Sequence, residues 1–202
     1  MKNEIHLHLS KDPIFKPLIE NIEIPPPTSK GDLYEDLIRS IVGQQLSVKA
    51  ARTIYGRFLD LFEDGYAHSE ELLAMDIPAL RTVGLSRQKA SYIQNVAEFF
   101  KQEKLHKKDW SDIQDEEIIK YLTQIKGVGK WTVQMILMFT LNRPDVFPVD
   151  DLGIQHGVKG LYKLEETGKE LKKKMIEIAE PWRPYRTYAS RYLWRWKDAG
   201  GL

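Results

Sequence analysis

Two adjacent carboxylates, Asp150 and Asp151, close a proline-bearing loop just ahead of an apolar run. Aspartate is ionised at neutral pH, so it can stabilise positive charge growing on a substrate or take a proton from an attacking water. Upstream, the stretch 122–152 reads LTQIKGVGKWTVQMILMFTLNRPDVFPVDDL. An apolar-periodic segment breaks there at Lys126-Gly127-Val128-Gly129, and a second begins at once with Lys130-Trp131-Thr132. The pattern predicts two helices joined by a very short glycine hairpin. Gly127 and Gly129 can take positive φ without steric cost, and they leave the amides that open the second helix uncovered at its positive dipole end. That is a seat for an anion such as phosphate. Glycine also closes helices of every kind, so the tetrapeptide needs its context. Two nucleotide motifs are excluded: GVGKWT lacks the third Gly and the preceding strand of a dinucleotide fingerprint, and Lys130 is followed by Trp131 where a P-loop needs Ser or Thr. Anion seat and acidic pair are thus separated by one helix.

The surrounding elements read as helices. The exception is 4–9, whose alternation predicts a short extended lead-in with His6 and His8 facing solvent; a metal pair is the other use of that spacing. Pro13 suits the first turn of a helix carrying Phe15, Leu18, Ile19 and Ile22, and Pro25-Pro26-Pro27 ends it and starts a stiff linker. Leu33, Leu37, Ile38 and Ile41 form one stripe ending at Gly43. Ser47 then caps a helix with Val48, Ala51, Tyr55, Phe58 and Phe62 on one face. Further helices are predicted over 69–75, 78–83, 86–102 and 115–125, with Gly84 as a C-cap and Ser86 and Asp115 as N-caps. After Asp151, helices follow at 152–161, 171–179 and 184–197. In the last, Tyr185, Tyr188, Tyr192 and Trp196 make a core stripe, and Trp194 falls off it. The fold class is all-α.

With 202 residues and 42% hydrophobic content, the chain can bury a sizeable core in one domain or two small ones. No apolar run approaches the ~18 residues of a membrane span, and the opening MKNEIHLHLSKDP has no signal-peptide core. Zero Cys excludes a disulfide framework and a thiolate metal site, which suits an intracellular protein. A net charge of +1 does not by itself suggest nucleic acid. The basic residues are unevenly placed, however: Arg81, Arg87, Lys89, Lys126 and Lys130 sit by loops and helix starts, so a local positive face is expected.

The order KGVGKWT, helix, proline-bearing loop, VDD resembles the helix-hairpin-helix DNA glycosylases. Three further stretches resemble the DNA-3-methyladenine glycosylase II branch: DLIRSIVGQQLSVKAA at 36–51, VGLSRQKASYI at 83–93 and PWRPYRTYASRYLW at 181–194. The likeness runs from about Asp12 through almost the whole chain. It implies two helical lobes with the active-site cleft between them. One is 36–133 with the hairpin; the other is 1–35 plus 134–202, with the catalytic Asp and the aromatic C-terminal helix. The short form, without the N-terminal β domain of larger members, is expected. The iron-sulfur members need four Cys, which this chain lacks.

The implied activity is flipping of alkylated purines, 3-methyladenine or 7-methylguanine, out of double-stranded DNA, and hydrolysis of their N-glycosidic bond. Hypoxanthine and etheno bases are alternatives that the residues do not rank. Asp151, the second acid, matches the catalytic carboxylate, and Asp150 is expected to cap the following helix. Trp131 and Trp194 match the walls of the base pocket, with Met135 and Leu152 where some relatives have aromatics. Lys126, Gly127, Val128, Gly129, Lys130 and Thr132 match the phosphate contacts. Gln44, Gln45, Leu46 and Ser47 form the turn whose Gln45, with Leu46 beside it, fills the gap left by the extruded nucleotide. The main-chain carbonyls of Thr123, Ile125 and Val128 would hold a structural monovalent cation; no other cofactor is required. Trp131 stands where bifunctional relatives place a nucleophilic Lys, so no lyase step is expected. A monomer acting in the cytoplasm at the nucleoid, with no membrane partner, completes the expectation. A non-catalytic DNA-binding module would use only 126–130, and a helical scaffold none of these residues. The acidic pair separates them, because a DNA clamp gains nothing from carboxylates facing phosphate.

Overall fold

The computed structural model describes residues 2–26, 29 and 31–201. Among them are twelve α-helices and no strand: α1 (Lys2–Leu9), α2 (Lys16–Asn21), α3 (Leu33–Gly43), α4 (Val48–Leu59), α5 (Ser69–Ala74), α6 (Ile77–Thr82), α7 (Arg87–Gln102), α8 (Asp115–Leu122), α9 (Lys130–Phe139), α10 (Leu152–Leu161), α11 (Gly168–Ala179) and α12 (Arg186–Asp198). Packing divides the chain into two units, Met1–Thr28 with Asn142–Leu202, and Ser29–Leu141. The boundaries expected at 35 and 133 therefore move to 28 and 141. The reason is α9, which stays in one piece: it packs on α3 and buries Val133, Ile136, Leu137 and Met138.

In the unit Ser29–Leu141, α3 is the central helix, with α4, α7 and α9 packed around it. Its expected stripe, Leu33, Leu37, Ile38 and Ile41, is buried throughout. Asp32, Ser47, Asp76 and Ser86 cap α3, α4, α6 and α7 by accepting an amide three residues on, and Gly84 turns the chain after α6 with φ +106°. Asp115 does not act as a cap; Gln114 precedes α8, and Asp115, Glu116 and Glu117 fill its first turn, where the dipole favours acids. Val48 departs from its predicted face and is 88% exposed, whereas Phe58 near the end of α4 and Phe62 just beyond it are buried.

The other unit centres on α10 against α12, with α11 on α10, α2 on α12 and α1 on α2. Residues 4–9 are helical and not extended. Ile5 and Leu9, four apart, are buried and Leu7 is exposed, so a helical i, i+4 face outweighs the alternation. His6 bonds with the Tyr192 hydroxyl at 3.0 Å and His8 with the Pro181 carbonyl at 3.0 Å, which places both in packing roles. Pro13 lies in the turn before α2, and Pro17 takes the first-turn position. Pro27 lies outside the described residues; the Pro25 carbonyl accepts from Arg191. Tyr192 is buried and Tyr185, Tyr188 and Trp196 pack on the same core, as a core stripe should; Trp194, expected off the stripe, also packs against that core.

Asp36 joins the two ends of the unit Ser29–Leu141. Its Oδ2 accepts from the Ser29 hydroxyl at 2.5 Å and from the Thr140 hydroxyl at 2.6 Å, and its Oδ1 from Arg39. Asp36→Ala removes the acceptor shared by the buried Thr140 hydroxyl and the part-buried Ser29 hydroxyl, and should lower stability by about 2–3 kcal/mol. Urea unfolding of the variant beside wild type measures this; an unchanged midpoint would show that solvent replaces the carboxylate.

Candidate active site

The loop from Asn142 to Asp151 is irregular, yet it is held at nearly every step. The buried Thr187 hydroxyl donates to the Arg143 carbonyl at 2.7 Å and accepts the Val146 amide at 2.9 Å. The Asp145 carboxylate accepts from Arg186 at 2.7 and 2.9 Å and from Arg183 at 2.5 Å. The Asp151 amide reaches the Pro148 carbonyl at 2.9 Å, and Gln155 Nε2 donates to the Val149 carbonyl at 2.9 Å. This network delivers Asp151 to the N-terminus of α10.

There the residue that caps the helix differs from expectation. Asp151, not Asp150, is the cap: its Oδ1 accepts the Ile154 amide at 2.8 Å. Asp150 is exposed and accepts from Lys172 Nζ at 2.6 Å. Capping geometry selects the residue directly before the first helical position, and the helix begins at Leu152. The same Asp151 Oδ1 also accepts the Trp194 indole N–H at 2.9 Å. Two donors on one oxygen fix the carboxylate's plane and direction. Gly153 makes the contact sterically possible, because a Cβ there would stand 2.9 Å from Trp194 Cδ1 and 3.0 Å from Asp151 Oδ1. One turn on, a Cβ at Gly157 would meet the Leu193 carbonyl oxygen at 3.3 Å. Leu152, beside the carboxylate, is 68% exposed.

In the unit Ser29–Leu141, α8 and α9 are joined by the predicted hairpin, and no side chain caps α9. The two glycines serve differently. Gly127 has φ +106°, and a Cβ on it would lie 2.2 Å from Tyr92 Cγ. Gly129 has φ −95° and ψ 167°, which any residue adopts, and nothing within 4 Å would meet a Cβ. The positive φ expected of Gly129 is absent because it is the N-cap, which needs extended backbone. Asn95 Nδ2 donates to the Lys126 carbonyl at 3.0 Å, which braces the turn from α7. Lys126 and Lys130 are exposed, and Trp131 is 44% exposed with Met135 one turn below it. Thr132 is 3% exposed, so of its groups only the main chain can serve the anion seat.

The turn after α3 has Gln45 in the left-handed region, φ +57°, with the Leu46 amide bonded to the Gly43 carbonyl at 3.2 Å. Gln45 and Leu46 are exposed; the Ser47 hydroxyl accepts the Ala50 amide at 3.3 Å. Lys89 is not part of an outward basic face. Its Nζ donates to the carbonyls of Val42 at 2.8 Å and Gln44 at 2.6 Å, and burial pulls its ammonium below the ordinary lysine pKa. Among the described residues no cluster of His, Cys, Asp or Glu could hold a metal ion.

An all-helical fold carrying a glycine hairpin, a pinned loop and a carboxylate at the next helix start defines a helix-hairpin-helix DNA repair protein. The family model described as HhH-GPD superfamily base excision DNA repair protein matches residues 38–184, and the chain belongs to that superfamily. It is 37% identical over 199 residues to DNA-3-methyladenine glycosylase 1 of Schizosaccharomyces pombe, covering 96% of this chain and 86% of that one. The structure of the Schizosaccharomyces pombe 3-methyladenine DNA glycosylase in complex with abasic DNA superposes with a TM-score of 0.85 at 35% identity, over 98% of both chains. A DNA-3-methyladenine glycosidase from Bacillus halodurans gives a TM-score of 0.83 at 37% identity, over 96% of this chain and 88% of that one.

Sequence reasoning passed over Gly153, Thr187, Asp145 and Asn95. The Gly153 to Gly157 spacing was a visible signal of close helix approach; the other three act through contacts between distant segments. The two hairpin glycines separate fold from binding. Gly127→Ala should distort the turn and lower both thermal stability and duplex affinity. Gly129→Ala meets no steric conflict and loses only the better N-cap propensity of glycine, so it should lower the melting temperature by no more than about 3 °C, and should weaken binding to damaged and undamaged duplex alike. Melting curves and fluorescence anisotropy test the pair; loss confined to damaged DNA would rule out a phosphate seat.

Proposed function

We propose that this protein is a monofunctional DNA glycosylase that extrudes alkylated purines of the 3-methyladenine and 7-methylguanine type and hydrolyses their N-glycosidic bond in base excision repair. The observation that carries this is the Asp151 carboxylate, fixed by two N–H donors on a chain of a base-excision family. Heterolysis of the bond between C1′ and the base nitrogen leaves positive charge on the sugar. A carboxylate fixed near C1′ stabilises that transition state more than the ground state. Water then adds to C1′, and Asp151 is assigned to orient it and accept its proton. Alkylation at N3 or N7 makes the purine cationic, so the base departs neutral with the bonding pair and needs no general acid.

The duplex hides C1′, and extrusion of the nucleotide costs a few kcal/mol. The hairpin amides with Lys126 and Lys130 are assigned to phosphate, and Gln45 with Leu46 to the gap left in the stack. Trp131 and Trp194, with Met135 and Leu152, are assigned to the base. An indole face attracts a cationic purine by about 2 kcal/mol or more when both are desolvated, whereas a neutral base gains only stacking. The carbonyls of Thr123, Ile125 and Val128 suit a monovalent cation in kind, as uncharged oxygen ligands. The Ile125 carbonyl accepts the Val128 amide at 3.0 Å and retains a second lone pair. No described helix is long and apolar enough to cross a membrane, and the site of action proposed is chromosomal DNA.

Asp151→Asn should retain duplex binding and lose base release by about 100-fold or more, the scale of losing a preorganised electrostatic partner. Base release from single-lesion duplexes reads it. Activity equal to wild type would end the glycosylase assignment, and loss in Asp150→Asn alone would move the carboxylate by one residue.

Trp194 has two tasks that substitutions can separate. Trp194→Phe keeps an aromatic face but loses the N–H to Asp151, and should release 3-methyladenine about 10-fold more slowly, since misplacing a catalytic group by an ångström costs on that order or more. Trp194→Leu should lose a further increment on 3-methyladenine, and less of one on hypoxanthine, which is neutral. If Phe and Leu behave alike on both bases, the indole ring serves packing only.

A further inference from the structure

Three side chains spaced by three along α7 direct their contacts into the unit's own turns. Lys89 bonds the Val42 and Gln44 carbonyls, Tyr92 fills the space that Gly127 leaves open, and Asn95 bonds the Lys126 carbonyl. The Tyr92 hydroxyl is itself held by Gln88 Nε2 at 2.5 Å. An ammonium at the C-terminal end of α3 meets carbonyls that the helix cannot satisfy, at the negative end of its dipole. The turn it braces is strained, because Gln45 occupies the left-handed region that disfavours residues with a Cβ. Such a conformation persists only when its surroundings over-determine it. With both Nζ bonds made to carbonyls on either side of Gly43, Lys89 supplies that restraint.

We propose that Lys89 is a positioning residue for base extrusion, holding the Gln44-Gln45-Leu46 turn in the shape that enters the duplex, from the same helix that seats the hairpin. The inference rests on the glycosylase assignment above and adds a means of keeping penetrating turn and phosphate seat at a fixed spacing. α7 is one helix of 16 residues, so the groups that brace the two turns are held at a fixed spacing. A lysine spent in this way does not contact phosphate.

Lys89→Met removes the donors at nearly constant length, and Lys89→Arg keeps charge and donors. Each is compared with wild type for base release from one lesion in a paired duplex and from the same lesion in a mismatch, where extrusion costs little. Salt dependence of binding to undamaged duplex is measured alongside. Lys89→Met should lose about 10-fold in kcat/KM on the paired lesion and less than about 3-fold on the mismatched one, with Lys89→Arg near wild type and the salt slope unchanged. A lower folded fraction would scale both substrates equally, so the ratio stays informative. Equal losses on both substrates would overturn the proposal. So would a salt slope reduced by about 0.9, the mark of a lost phosphate contact. Wild-type protein that releases no base from any duplex would remove the glycosylase assignment and this proposal with it, a pattern distinct from an active wild type with an unselective variant.

Discussion

The indole of Trp194 can reach the Asp151 carboxylate only because α10 carries no side chain where the ring passes. A Cβ at Gly153 would fall within about van der Waals exclusion of both partners, and Gly157 allows the α12 backbone at Leu193 to come close one turn further on. With that approach in place, one oxygen serves as helix cap and as acceptor for the ring. The cap fixes the carboxylate to the backbone of α10, and the indole fixes it to α12. Position and direction are thus set by different elements, which is what a group acting on a developing charge needs.

Closing two helices around a glycine pair does not by itself aim the chain that enters α10. That task falls to polar groups at and just before the first turn of α12 and on the loop. Thr187 uses its one hydroxyl as donor and acceptor, and Asp145 takes guanidinium donors from Arg183 and Arg186. A loop so held behaves as an extension of the helices. The unit Ser29–Leu141 solves a similar problem differently, bracing two turns by side chains reaching sideways from α7. In both units the irregular backbone is where function is assigned, and in both a regular helix supplies the restraint.

What could be read from the sequence was whatever depends on neighbours along the chain. The hairpin between α8 and α9, the limits of α10, the serine caps of α4 and α7 and the stripe of α3 all follow from spacings of three or four. The failures were of another kind. For residues 4–9, alternation and an i, i+4 pair competed, and the core formed with Phe15, Val158 and Leu193 decided for the helix. The cap of α10 was assigned one residue too early, to Asp150, although the helix start itself was placed at Leu152; Asp151 occupies the position directly before it and takes the cap while keeping the role proposed for its carboxylate. Lys89 and Thr132 looked available because a lysine and a threonine usually are; one is drawn to helix-end carbonyls and the other is covered by the packing of α9. Asn95, Thr187 and Asp145 act across 31 to 44 positions of chain, where spacing carries no information.

The near-neutral charge of the chain, +1, becomes intelligible in this light. Counterion release rewards proteins that neutralise many phosphates with lysine and arginine, and it holds them on any duplex regardless of damage. Here one prominent lysine is spent inside the unit and the assigned seat is made mainly of amides at the start of α9, whose partial charge is about half a unit. On that assignment the grip on undamaged DNA is expected to be modest, with a larger share of the binding free energy coming from contacts made only after a base has left the stack. A lesion that is cationic and weakly bonded to its sugar gives those contacts most readily. In the proposed mechanism a weak general attraction and a rigid carboxylate would be complementary: the first would limit time spent on intact DNA, and the second would act without reorganising once an extruded nucleotide arrives.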